Sequence, residues 1–198
     1  MTECFLAGEE IHKLNRDLRL LIATNGTLTR ILGIVADEEI VVQIIKQNIQ
    51  TVAPGMAELG QLSGGRLLQR HVLLKGRTSG HRFVAAESLI ATDLLPRAIT
   101  ASLTRTECPI GEIMAAGHLE TFKEPADVWI GESPDWLASA GYQASQPRTV
   151  SRRYRIIMAG QPVMIITEYF LESFSRTRRR DEPNVSLTFE RHGYTESE

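Results

Sequence analysis

The chain is poor in the groups that hold metals and disulfides. Its 198 residues include two cysteines, Cys4 and Cys108, spaced neither as a metal-ligand pair nor as a disulfide framework. A reducing, cytoplasmic compartment suits them. Cys108 has no histidine near it in a pattern that would activate a thiolate, so it reads as an ordinary small residue. The five histidines are scattered, with no HExxH motif and no Cys/His cluster, and no metal is expected. Charge of one sign is lacking too. The net charge of -2, with both signs interspersed, offers no global field for nucleic acid or an anionic membrane. No apolar run approaches membrane-spanning length, and Met1 to Glu10 lack the basic stretch and apolar core of a leader. Gly60, Gly64 and Gly65 do not have the spacing of a phosphate-cradling loop, so no nucleotide fold is implied. Nothing in the sequence fixes an oligomeric state.

What is present is enough apolar material, 42% of residues, for one well-packed domain. Ile11, Leu14, Leu18 and Leu21 recur at helical spacing behind Glu9 and Glu10, predicting one helix that ends near Thr24. Asn25 and Gly26 break it. A short helical segment then opens at 27–30, with Gly33 as its stop. The β-branched run at 39–49 predicts a buried strand, and the glycines after Pro54 a flexible crossing. Strands at 66–75 and 81–90 form a hairpin through the loop 76–80. Asp93 is the expected N-cap of a helix reaching Arg105, with Leu95, Ile99 and Leu103 on one face. Pro109, Ile110 and Gly111 then make a turn into a short helical piece at 112–116, of the kind that forms lids. Residues 118–130 are expected to be extended and broken at Pro125, and 136–140 helical with Gly141 as stop. A second hairpin joins 150–158 to 163–171. Residues 1–174 therefore read as one domain, and 175–198 as a polar tail expected to be disordered. Hairpins with helices in blocks favour an α+β fold on an antiparallel sheet, with the helices on one face.

Strand parity picks out two charges. Leu68, Arg70, Val72 and Leu74 share one face of their strand, and Met164, Ile166, Glu168 and Phe170 one face of the last. An isolated buried charge costs several kcal/mol, so Arg70 and Glu168 either pair with each other or face a ligand. The residues alone leave both alternatives open. Arg152, Arg153 and Arg155, with the arginines of 176–180, read as a solvated strand face and a solubilising tail rather than an RNA surface, because interleaved aromatics are scarce. Glu87 and Asp93 read as isolated surface or capping acids.

At the last hairpin, Gly160, Gln161 and Pro162, then 163–167, then Glu168 and a final apolar pair, resemble the signature of the chorismate pyruvate-lyase family. The turn Gly26, Thr27, Leu28, Thr29, the strand Leu67, Leu68, Gln69, Arg70 with its hairpin, and the loop Pro109, Ile110, Gly111 occur in the family's order. Together they span Leu20 to Leu171. The similarity is to the branch whose 4-hydroxybenzoate feeds phenolic glycolipids of the cell envelope rather than ubiquinone. It implies chorismate as substrate, no metal or organic cofactor, and a six-stranded antiparallel sheet with helical flaps over a buried site. It also implies roles: Arg70 holds a substrate carboxylate, Glu168 is the catalytic carboxylate beside the hydroxyl end of the product, its proton role left open among base, acid and orienting acceptor, and Leu28 and Ile110 line the site through main-chain atoms. Gly111 would keep that backbone accessible. Two departures stand out. The strand through Ala85, Ala86, Glu87 and Ser88 lacks the glycine-arginine pair of the ubiquinone-pathway members, leaving the second carboxylate without an assigned partner, and the chain continues past Leu171.

A competing expectation is a small-molecule sensor, since effector domains of some transcription regulators share this fold. Those normally follow a winged helix, and only one helix and a turn precede the first long strand here. A third is an inert domain with Arg70 and Glu168 as a buried pair.

Overall fold

The structure is a computed structural model and describes residues 4–6, 8–52, 65–142 and 148–171. In chain order the elements are β1 (Cys4–Phe5), α1 (Gly8–Ile11), α2 (Arg16–Ala23), α3 (Leu28–Ala36), β2 (Ile40–Val52), β3 (Gly65–Gly76) and β4 (Arg82–Ala91). A 3₁₀ turn at Thr92–Leu94 precedes α4 (Arg97–Arg105), α5 (Ile110–Ala116), β5 (Phe122–Lys123), β6 (Asp127–Glu132), α6 (Trp136–Ser139), β7 (Arg148–Met158) and β8 (Gln161–Phe170). All strands join one antiparallel sheet in the order β1-β6-β7-β8-β4-β3-β2, with β5 pairing β7 alongside β6. Among the described residues the sheet has eight strands where six were expected. The difference lies in β1 and β5, two-residue strands too short to leave an alternating pattern in the sequence.

Register turns the sheet into rows of side chains, because directly opposed residues of an antiparallel pair point to the same face. One row runs Gln47, Arg70, Ser88, Ile166, Tyr154. The next runs Ile44, Val72, Ala86, Glu168, Arg152, Val128. Both belong to the face on which the helices α2 to α5 pack. On one side of these rows Leu18, Leu21, Leu28 and Leu32 meet Val42, Leu74, Val84 and Phe170; on the other Ile99, Leu103, Ile113 and Met114 meet Leu68, Ile90 and Met164. The two apolar clusters bracket the polar rows. At about 1.5–3 kcal/mol for each fully buried large aliphatic side chain, they supply the stability that allows charge between them. The single turn α6 packs on the opposite face, Leu137 against Leu73, Ala85 and Leu171.

Several local expectations are corrected. The helix expected through Thr24 is split, because the Asn15 side chain accepts from the Leu18 N–H at 2.8 Å and starts α2 afresh. Gly33 does not stop α3, which runs on to Ala36 and ends at Asp37 in the left-handed conformation. Asp93 does not cap α4; it holds the Arg66 backbone and guanidinium, and Pro96 precedes the helix. Glu87 is no isolated acid, since it pairs with His71 at 3.1 Å and Gln69 at 2.9 Å on the α6 face. The last hairpin is present as expected, but its turn is only two residues, Ala159 and Gly160, both at positive φ, because β8 begins at Gln161 rather than Val163. The crossing at 53–64 and the tail with its boundary at 174 lie outside the described residues.

Candidate active site

A cavity of about 560 Å³ opens on the helix-covered face between the two apolar clusters. Arg70, Glu168, Leu28, Ile110 and Gly111 all line it, so the five residues singled out by sequence meet at one place. The sheet supplies the floor. The turn from Asn25 into α3 and the segment from Pro109 through Ala115 supply the cover. These two cover segments touch: a Cβ on Gly111 would lie 3.0 Å from the Thr27 side chain, tighter than ordinary packing. Glycine at 111 therefore serves the fit of one flap against the other.

Arg70 is 1% exposed. Its Nη2 donates to the Thr106 carbonyl at 2.9 Å and its Nη1 more loosely to the Cys108 carbonyl at 3.5 Å, so the loop after α4 holds the guanidinium in place. Among the described residues no carboxylate lies within ion-pair distance of it, and its buried Nε has no partner. Burial lowers its pKa, partly offset by Cys108 and Glu107; an arginine remains charged nonetheless. Gln47 donates to the Thr104 carbonyl from the same row, tying the end of α4 down to β2. It can do so because a bulge between Ile44 and Lys46 shifts the register by one residue.

Glu168 pairs with Arg152, not with Arg70. Arg152 donates through Nε to one carboxylate oxygen, and the Tyr154 hydroxyl donates to the other at 2.9 Å. Arg152 is fully buried, which corrects its reading as part of a solvated strand face. Its Nη1 also donates to the carbonyls of Leu21 and Ile22, both at 2.7 Å, and of Thr24 at 3.2 Å. These are carbonyls left unpaired at the end of α2, where a cation is favoured. One arginine thus orients the Glu168 carboxylate and fixes the start of the cover segment. Arg153, one residue on, is exposed, and Arg155 pairs with Glu124 at the surface. Burial and the neighbouring Glu168 raise the Tyr154 phenol well above its usual pKa, so it stays protonated and donates. Cys108 contributes its carbonyl; burial and Glu112 push its thiol pKa up, away from thiolate chemistry.

Lys123 escaped the sequence reading. It opposes Ile156 on β7, which opposes Met164 on β8, and so points to the cavity face. Its Nζ donates to the Thr24 carbonyl at 3.2 Å and stands 3.8 Å from the centre of the Tyr154 ring. Burial first, then Arg152, pull its pKa down to about 8 against the opposing pull of Glu168. Tyr154 and Arg152 could have been found by continuing the parity argument from Val150 along β7.

A mostly apolar cavity whose wall holds cations and an acceptor carboxylate, set on an open antiparallel sheet, has the chemistry to take a small anion. The same fold occurs in the effector domain of PhnF from Mycobacterium smegmatis, with TM-score 0.55 and 12% identity, covering 74% of this chain and 88% of that one. Sequence comparison is more specific. The family model of the Rv2949c-like chorismate pyruvate-lyases matches residues 22–178. A chorismate pyruvate-lyase of Mycobacterium tuberculosis is 60% identical over 187 residues, 93% of this chain and 94% of that protein. One of Mycobacterium leprae is 61% identical over 182 residues, 92% and 87% of the two chains. The chain belongs to the chorismate pyruvate-lyase family, a family of carbon-oxygen lyases. Among the described residues no helix is long and apolar enough to cross a membrane.

Proposed function

We propose that this chain converts chorismate into 4-hydroxybenzoate and pyruvate, with Arg70 and Glu168 at opposite ends of the substrate ring. The observation that carries the reading is the cavity itself: Arg70 is buried in its wall with no carboxylate partner among the described residues, facing the same space as a Glu168 already neutralised by Arg152. A structural ion pair would have joined the two. Their separation leaves the Arg70 guanidinium for a ligand carboxylate, which its planar fork suits better than an ammonium would.

In the reaction the bond from the ring to the enolpyruvyl oxygen breaks, and the neighbouring, hydroxyl-bearing carbon loses its hydrogen as a proton. The electron pair of that C–H bond becomes the third ring double bond, and the departing enolpyruvate gains a proton and becomes pyruvate. Aromatisation supplies the driving force, so the protein's contribution is positioning and charge stabilisation. Arg70 holds the ring carboxylate. Leu28, Ile110 and Gly111 close the pocket over the ring. Glu168 stands at the hydroxyl end, where its two oxygens accept from Arg152 and Tyr154. That surrounding of donors makes it an acceptor, toward the ring hydroxyl or the departing ring proton, rather than a proton donor.

Glu168→Gln, which keeps the shape and removes the charge, and Arg70→Ala should each lower kcat/KM for chorismate by roughly 10²- to 10³-fold, the size of losing one fixed electrostatic contact. Retention of activity in either variant, measured as 4-hydroxybenzoate by chromatography, contradicts the assignment. Cysteines without a disulfide framework fit a cytoplasmic enzyme. The likeness of the four ordered motifs to the phenolic-glycolipid branch supports that fate for the product.

A further inference from the structure

Chorismate carries a second carboxylate, on the enolpyruvyl group. Two cations line the cavity, Arg70 and Lys123. With Arg70 placed on the ring carboxylate, we propose that Lys123 binds the enolpyruvyl carboxylate and holds the leaving pyruvate unit. The inference rests on the reading of the cavity as a chorismate site.

Geometry places Lys123 at the correct end. The ring carboxylate and the hydroxyl sit across the ring from each other, and the enolpyruvyl ether is on the carbon next to the hydroxyl. The second carboxylate must therefore lie near Glu168. Lys123 stands over the ring of Tyr154, the residue whose hydroxyl donates to Glu168. It makes no ion pair among the described residues, because Glu168 is engaged by Arg152. Of its three ammonium protons, the Thr24 carbonyl accepts one. Lys123 lines the cavity, and the carboxylate among the described lining residues, Glu168, is already paired with Arg152. A dianion with carboxylates at these two places neutralises both cations at once, whereas 4-hydroxybenzoate engages only Arg70.

That difference between substrate and product gives the test. Lys123→Met should raise KM for chorismate by roughly 10- to 100-fold, the range of one charge-assisted hydrogen bond, while calorimetric affinity for 4-hydroxybenzoate changes by less than about 2-fold. Lys123→Arg should restore most of the chorismate KM. In the unsubstituted protein, chorismate KM should rise as pH is raised through about 8, where Lys123 loses its proton. The groups facing it are Arg152 and Tyr154 on β7, Glu168 on β8 and the Thr24 carbonyl; the phenol is neutral there. Lys123→Arg should move that rise to higher pH. Equal loss of affinity for substrate and product in Lys123→Met would mark Lys123 as a prop for the Thr24 turn and overturn the proposal, as would an unchanged chorismate KM. Absence of turnover by the unsubstituted protein would instead refute the chorismate reading itself.

Discussion

The two buried arginines have opposite consequences for stability. Arg152 is spent on structure: it neutralises Glu168 and satisfies three carbonyls at the end of α2. Arg152→Ala leaves a buried carboxylate unpaired and should cost about 3–5 kcal/mol in denaturant unfolding, with activity lost. Arg70 is held by two carbonyls and, among the described residues, has an unsatisfied Nε and meets no carboxylate. Arg70→Met should therefore leave stability unchanged or raise it by up to about 1–2 kcal/mol while lowering kcat/KM as strongly as Arg70→Ala does. A loss of several kcal/mol from Arg70→Met would mean the residue is structural. Strand parity was enough to find Arg70 and Glu168, because each sits in a strand whose other side chains on that face are apolar. The same parity applied to Arg152, but its neighbours in sequence, the exposed Arg153 and the half-buried Arg155, made the run look like a solvated face. Lys123 left no such trace, since its direction depends on pairing with Ile156 in a strand of two residues.

At the scale of elements, the site depends on how two cover segments are anchored. The Asn25 turn is tied to the sheet by Arg152 and Lys123 through the Thr24 carbonyl, and the 106–108 loop is tied to it by Arg70. The segments meet at Gly111 and Thr27. Gly111→Ala improves helix propensity by roughly 1 kcal/mol but forces this contact apart. It should keep the fold, by circular dichroism and melting temperature, and raise KM for chorismate several-fold; an unchanged KM would show that the flap contact is unimportant. The long hairpins were legible because their period and turn residues agree. The break between α1 and α2 was not, since Leu14 and Leu18 keep helical spacing across a cap whose hydrogen bond depends on the local backbone angle at Asn15. The bulge in β2 was equally hidden in an unbroken β-branched run.

For the whole molecule, the architecture is an antiparallel sheet whose helix-covered face carries two apolar clusters with a charged, ligand-sized gap between them. The class of fold followed from hairpins alternating with blocks of helix. Which rows face each other across β4, and hence that Arg70 and Glu168 share a cavity without touching, required the sheet order β7-β8-β4-β3, which places the last hairpin beside the middle one. No local pattern encodes that pairing. The central claim is tested most directly by incubating the purified chain with chorismate and quantifying both products over time. The account predicts 4-hydroxybenzoate and pyruvate appearing in equal amounts as chorismate disappears. Binding of 4-hydroxybenzoate without any turnover of chorismate would contradict it and identify the cavity as a sensor site.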